Sequence, residues 1–325
     1  MEDKKILLSI CIPTYNGASG SLRMVLDNAI ICAERYPEEV EIIVSDNCST
    51  DSTHQLLEQY QNIPYLCTYR NDKNLGYNGN MLLLTDKYAR GVFCWLVGDD
   101  DVININAFDF VINSLRNADF DFLSLGFKQI DWKAISEEMT THYDYTINKG
   151  TYAEVLDKNC KRGNSLATFM GSSIFKTKIF RAVDKSRIDA NFNCFINIFP
   201  NAYLFATGYY NKGCAYIPQP VLFPIIHHKD WATSDNMYMI ASSALVDMYD
   251  YFLSLGMKKS DLYFTRRRLI YDNLIMGIIR LLKGEKVNRN LLHFYLESLI
   301  FPKIHYLLIG NMIRKISGKK LLDIG

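Results

Sequence analysis

Three aspartates, Asp99, Asp100 and Asp101, follow directly on the apolar run 92–97 and on Gly98, in the string "WLVGDDD". Carboxylates rarely go inside unless something pairs with them. Three adjacent ones repel each other, and that cost has to be offset. A hard divalent cation offsets it. Magnesium is commonly held by one or two carboxylates, with waters and substrate phosphates completing its shell. Manganese takes the same oxygen ligands. Asp100 and Asp101 are therefore candidate ligands for Mn2+ or Mg2+, with a phosphate-bearing substrate as the remaining partner. The same residues could instead form an acidic turn at the start of a helix, where the helix dipole favours negative charge. Their place at the end of an apolar strand favours the metal.

Three further clusters have usable chemistry. In "PTYN", Tyr15 offers an aromatic face for a nucleobase, although it could equally be an ordinary half-buried tyrosine. In "SDNCSTD", Asp46 closes an apolar run ahead of an Asx-type helix cap and could accept from a base N–H. "NLGYNGN" is rich in Gly and Asn, so it turns tightly. It has no Walker lysine and does not spell GxGxxG, so neither the P-loop nor the dinucleotide fingerprint applies.

These clusters need elements to position them. The runs 6–13, 40–46, 64–70 and 92–98 predict four buried strands. Between them, 20–35, 49–60 and 78–89 predict helices, the second with Ser49, Asp51 and Ser52 as start signals. Strands alternating with helices of about a dozen residues imply βαβ units and a mostly parallel sheet covered on both faces. Ligands of such sheets bind beyond the carboxyl ends of the strands. All four polar clusters fall at those ends, so they converge on one crevice. Further on, 105–116 predicts a helix, 120–127 a strand and 169–180 a strand turning into a helix. Residues 200–210 predict a helix, 214–226 an extended segment, and 237–325 helices. A boundary near 236 divides a domain at 1–236 from a helical region at 237–325.

The 325 residues suffice for such a core, and the composition, 49% hydrophobic and 22% charged, is that of a globular protein. The run 6–13 is too short for the core of a signal peptide, and nowhere do 18 apolar residues run together. The eight cysteines form no CxxC pair, which predicts reduced thiols in a cytosolic protein and no zinc site. Charge is uneven. Residues 1–261 hold 24 Lys and Arg against 31 Asp and Glu, whereas 262–325 hold 12 against 4. A basic, partly apolar tail suits an anionic membrane surface. The same face could pack on the main domain or form a homodimer. Nothing points to nucleic acid.

"LSICIPTYN", "EIIVSDNCSTDST", "NLGYNGN" and "GVFCWLVGDDD", in this order and spacing, resemble a bacterial family 2 glycosyltransferase of the GT-A fold. The "WLVGDDD" form most resembles the abequosyltransferase-like branch, which is associated with O-antigen or capsule assembly. The likeness is strong over 6–105 and loose over 165–225. It implies inverting transfer of a sugar from a nucleotide-sugar to a glycan, often one carried on a polyprenyl diphosphate at the cytoplasmic leaflet. It implies that Pro13, Tyr15 and Asp46 hold the base. Asn74, Gly76 and Asn80 lie beside the donor, Asp99 near the ribose, and Asp100 and Asp101 at the metal. Two departures stand out. The usual Asp-x-Asp-Asp places its first aspartate where this chain has Val97, which leaves open which carboxylate binds metal. The Glu-Asp pair that often supplies the general base is replaced by Asn201 and Ala202.

Substitutes for that base are Asp189, or His227, His228 and Asp230 in "PIIHHKDW"; His227 or His228 could instead be a metal ligand. A sugar-phosphate nucleotidyltransferase would need basic residues in a Gly-rich loop after the first strand, and "PTYNGASG" has none. A haloacid-dehalogenase-like phosphatase would have its aspartates on the first strand. An inactive relative that only binds nucleotide or glycan is the non-enzymatic alternative.

Overall fold

The computed structural model describes residues 5–161, 169–191, 193–225 and 235–282, with isolated positions beyond 283. Its strands are β1 (Leu8–Thr14), β2 (Val40–Asp46), β3 (Leu66–Arg70), β4 (Phe93–Leu96), β5 (Asp101–Ile103), β6 (Phe122–Phe127), β7 (Asn148–Gly150), β8 (Ser173–Lys176) and β9 (Cys214–Pro224). They form one sheet in the order β3-β2-β1-β4-β8-β6-β9-β5, with β7 also paired to β9. The first four run parallel to one another. β8 is antiparallel to both β4 and β6, while β6 and β9 are parallel.

Alternation along the strands sorts the core into two layers. Leu8, Ile10 and Ile12 of β1 face one side, with Ile42, Val44 and Trp95. There they meet Val25 and Leu26 of helix α1 (Leu22–Ala33), Leu56 and Leu57 of α2 (Thr53–Glu58), and Phe108 and Val111 of α4 (Ile105–Arg116). Cys11, Ile43, Cys94 and Leu96 face the other side. That side is covered by α3 (Gly76–Leu83), which continues as a π-helical turn over Leu84–Tyr88. It is also covered by α6 (Tyr152–Lys161), α7 (Thr177–Ala182), α8 (Phe195–Ile198) and α9 (Pro200–Tyr209). The short α5 (Ile135–Glu138) lies before β7.

Helices α10 (Asp235–Ser254) and α11 (Tyr263–Leu282) bury Met248, Phe252 and Leu269 in the second layer. Asp157 of α6 accepts from the Thr265 N–H at 2.7 Å and so ties the start of α11 down. No helix among the described residues is long and apolar enough to cross a membrane.

The strands and helices predicted up to residue 282 are present, with three departures; apart from isolated positions, the helices predicted beyond 282 lie outside the described residues. The fourth strand ends at Leu96, although Val97 still donates to Cys11 O at 2.9 Å. At Gly98 the chain turns, with Asp101 N–H on Gly98 O at 3.1 Å. It then re-enters the sheet as β5 at the far edge, antiparallel to β9. The aspartates thus form the crossing between two strands. α2 starts at Thr53 instead of 49, because Ser49 is drawn into a loop by the Asp46 carboxylate and the Asn16 N–H.

Candidate active site

The ends of β1, β2 and β4 and the start of α3 open on one cavity of about 710 Å³. Its lining includes Pro13, Tyr15, Asn74, Gly76, Asn80, Asp99, Asp100 and Asp101. Eight of the sequence-selected residues therefore meet in one place. Asp46 does not line it. Its carboxylate is fully buried, with Oδ1 accepting from Ser49 N–H at 2.8 Å and Oδ2 without a hydrogen bond, 3.7 Å from the Arg70 guanidinium. Its position behind the lining reflects its use as the cap of the 46–49 turn. Asp189 is exposed and outside the lining; its Oδ1 accepts from Asn191 N–H at 2.6 Å and Asn197 Nδ2 at 2.8 Å. His227, His228 and Asp230 lie outside the described residues.

Asp99 is fixed from β1. Thr14 Oγ1 donates to its Oδ2 at 2.6 Å, and Ser21 Oγ donates to its backbone carbonyl at 2.9 Å. Gly17 leaves room for this arrangement. A Cβ there would stand 2.5 Å from Thr14 Oγ1 and 3.1 Å from Asp99 Oδ2. Gly17→Ala is expected to break the Thr14–Asp99 bond and weaken nucleotide binding about tenfold, the worth of roughly 1.4 kcal/mol. Gly213→Ala, outside the cavity and with its nearest neighbour 3.4 Å from the Cβ point, is the silent control. Calorimetric titration of both variants checks this.

Asp101 is the most constrained carboxylate. Its Oδ2 accepts from Gly98 N–H at 2.9 Å and lies where a Cβ on either Gly98 or Gly171 would come within 2.8 Å. Burial first, and then the charge of Asp100, raise its pKa from 3.8 to about 8, with the Gly98 N–H opposing and Asp99 adding a little. Asp100 Oδ1 is also 2.8 Å from the Cβ point above Gly98, so the two carboxylates converge. Such a pair lacks positive charge, and an oxygen-seeking divalent cation fits it. Among the described residues no three potential ligands cluster. Two carboxylates plus substrate oxygens are the donor set these residues offer.

Trp95 secures the opposite wall, its Nε1–H donating to Gly171 O at 2.7 Å. Tyr77 also lines the cavity; the residue is 48% exposed, and its hydroxyl donates to Met170 Sδ at 3.3 Å. The hydroxyl end is desolvated, which pushes its pKa up, with Asp101 and Asp100 adding to the rise.

Asn47 and Tyr77 escaped the sequence reading. Asn47 Nδ2 donates to Asn74 Oδ1 at 2.9 Å and Gly76 O at 3.2 Å. Its Oδ1 accepts from Leu75 N–H at 2.9 Å and Asn71 Nδ2 at 3.1 Å. It ties "SDNCSTD" to "NLGYNGN". Asn80 holds the same loop from behind, accepting from Ser45 Oγ at 2.6 Å and donating to Ser45 O at 3.0 Å.

The model of glycosyl transferase family 2 matches residues 9–183, more than half the chain and every segment of this cavity. The chain belongs to glycosyl transferase family 2. Its sequence is abequosyltransferase-like. Abequosyltransferase RfbV of Salmonella typhimurium is 24% identical over 233 residues, 67% of this chain and 66% of that protein. Poly(ribitol-phosphate) beta-N-acetylglucosaminyltransferase TarS of Staphylococcus aureus is 28% identical over 131 residues, 40% of this chain and 22% of its own length. The match thus spans just under two thirds of the first relative and under a quarter of the second. Among solved structures, S. aureus TarS 1-349 in complex with UDP-GlcNAc superposes with a TM-score of 0.56 at 16% identity, over 83% of this chain and 80% of that one. Mannosyltransferase PcManGT from Pyrobaculum calidifontis, in complex with GDP-Man and Mn2+, does so with a TM-score of 0.50 at 14% identity, over 97% and 88%. The fold of this family 2 glycosyltransferase is accordingly GT-A-like.

Proposed function

We propose that the chain transfers one sugar, with inversion and with a divalent cation, from a nucleotide-sugar to a hydroxyl of a surface-polysaccharide precursor such as O-antigen or capsule. The observation that supports this most is the convergence of Asp99, Asp100 and Asp101 with the 13–17 and 74–80 segments on one cavity. The ligands named for the TarS and PcManGT structures, UDP-GlcNAc and GDP-Man with Mn2+, are of the class this reading requires. Pro13 and Tyr15 would hold the base, with Asp46 behind them. Asn74, Gly76 and Asn80 would shape the donor side, and Asp99 would meet the ribose. Asp100 and Asp101, with His228 as a further candidate, would hold Mn2+ or Mg2+, which supplies positive charge for the departing diphosphate.

Inversion requires a general base for the acceptor hydroxyl. Asp189, His227 and Asp230 are the candidates. Asp189 is tied to the site through Ala190, whose Cβ lies 3.8 Å from the Cβ point of Gly76, and it is exposed to an incoming acceptor. The test is slow hydrolysis of nucleotide-sugars by the whole chain with Mn2+, followed by proton NMR. Release of the inverted anomer first is the expected result; no turnover of any donor would sink the enzymatic reading in favour of a binding module.

The acceptor reading extends to the basic C-terminal region, in which the described Leu296, Leu299 and Ile300 are more than half exposed. We place it against the inner face of the cell membrane. Co-sedimentation with anionic vesicles is expected for the full chain and lost on removing 290–325; equal pelleting of both forms would refute it.

A further inference from the structure

The phosphate end of the cavity has an electrostatic problem. Among the described residues, no Lys, Arg or His lines it, while three carboxylates do. A nucleoside diphosphate entering there meets one bound cation at most, so its remaining charge needs neutral hydrogen-bond donors. Several nearby donors are already engaged. Thr14 Oγ1 and Ser21 Oγ are spent on Asp99, and Asn47 Nδ2 on Asn74 and Gly76.

Tyr77 differs from them. Its hydroxyl is within the field of both Asp101 and Asp100, yet its hydrogen bond goes to Met170 Sδ at 3.3 Å. A thioether is a weak acceptor. Met170 adjoins Gly171, whose Cβ point is 2.8 Å from Asp101 Oδ2, so the hydroxyl is placed on the metal side of the cavity. Gly17 marks the other side, its Cβ point 3.1 Å from Asp99 Oδ2. A strong acceptor arriving between the two sides would draw the hydroxyl off the sulfur at little cost, since charge-assisted hydrogen bonds are roughly twice as strong as neutral ones.

We infer that the Tyr77 hydroxyl donates to the diphosphate of the donor, on the β-phosphate, and holds that charge as the sugar departs. The assignment rests on the nucleotide-sugar reading above. In the transfer, the anomeric C–O bond to the β-phosphate breaks and its electron pair stays on that oxygen. The acceptor oxygen forms the new bond, and its proton goes to the general base. Tyr77 keeps its own proton throughout and stabilises the growing negative charge by a hydrogen bond that strengthens as the charge develops.

The test compares nucleoside diphosphates with the matching monophosphates. The full chain with saturating Mn2+ is titrated with UDP, GDP, CDP and dTDP, and then with the monophosphate of whichever binds. Tyr77→Phe keeps the ring against Met170 and removes only the hydroxyl. The expected result is a diphosphate affinity about tenfold weaker, with monophosphate affinity and melting temperature unchanged. Unchanged diphosphate affinity, or equal losses for both ligands, would overturn the assignment and leave Tyr77 a packing residue. Absence of diphosphate binding by the unaltered chain would overturn the donor reading itself, and this assignment with it.

Discussion

Asp101→Asn is expected to lower sugar transfer by at least about 10²-fold, because a metal clamp on a departing diphosphate contributes several kcal/mol. The substitution keeps an oxygen for the Gly98 N–H and keeps the volume between Gly98 and Gly171, so the fold should persist. A second consequence is less intuitive. Asp101 has a folded-state pKa raised from 3.8 to about 8 by burial and by Asp100. The unfolded chain sheds this proton from about pH 4 upwards, while the folded chain keeps it to about pH 8. The folded state therefore binds more protons in that window, and stability must fall as pH rises. The contribution is complete below the ordinary carboxylate range and lost progressively towards pH 8. In EDTA, the melting temperature of the unaltered chain should drop between pH 5 and 8, that of Asp101→Asn should not, and Mn2+ should restore the former. Parallel pH curves for the two proteins would contradict the assignment of strain to Asp101.

Asn47→Ala is expected to have the largest effect on the frame of the site. It removes four hydrogen bonds; the half-buried Leu75 N–H loses its acceptor, and the buried Asn71 amide keeps only Asn80 Oδ1 at 3.0 Å. Leaving buried donors unsatisfied costs about 1–3 kcal/mol each. A loss of roughly 3 kcal/mol is expected in urea unfolding, with nucleotide binding falling by more than tenfold as the 74–77 segment comes loose. Asn47→Asp retains the acceptor for Leu75 and Asn71 but not the donors, so it should fall about midway. Equal losses for Ala and Asp would place the whole effect on the bonds to Asn74 and Gly76.

β1, β2 and β4 were legible because each is an apolar run ending in a polar cluster, and parallel strands buried on both faces read that way, whereas in the edge strand β3 only Leu66 is buried. The same reading put their clusters at one crevice. Other features left no local signal. β5 and β7 have three residues each, too few to show a period. The departure of the chain at Gly98 depends on β9, more than a hundred residues later, which takes Asp101 as an edge partner. Gly171 is held by Trp95, 76 residues away, so nothing in the 169–171 segment marked it as a cavity wall. Asn47 in a turn looks like any turn asparagine until its four partners are seen. Asp46 sits in the right turn, but the chain uses its Oδ1 to cap Ser49, which draws the carboxylate behind the lining that Asn47 provides.

The structure speaks against the helix-cap alternative for the acidic turn of "WLVGDDD". The helix that follows, α4, is capped by Asn104, whose side chain accepts from Asn106 N–H, so the aspartates are not needed for that purpose. Their carboxylates turn towards the cavity instead, at a cost that only a ligand or a proton can relieve.

The most direct measurement is calorimetric titration of the unaltered chain with UDP, GDP, CDP and dTDP, each with Mn2+ and each in EDTA. At least one is expected to bind with Mn2+, with its affinity falling by more than tenfold in EDTA and Asp101→Asn insensitive to the metal. Equal affinity with and without Mn2+, or a metal dependence that survives in Asp101→Asn, would contradict that expectation.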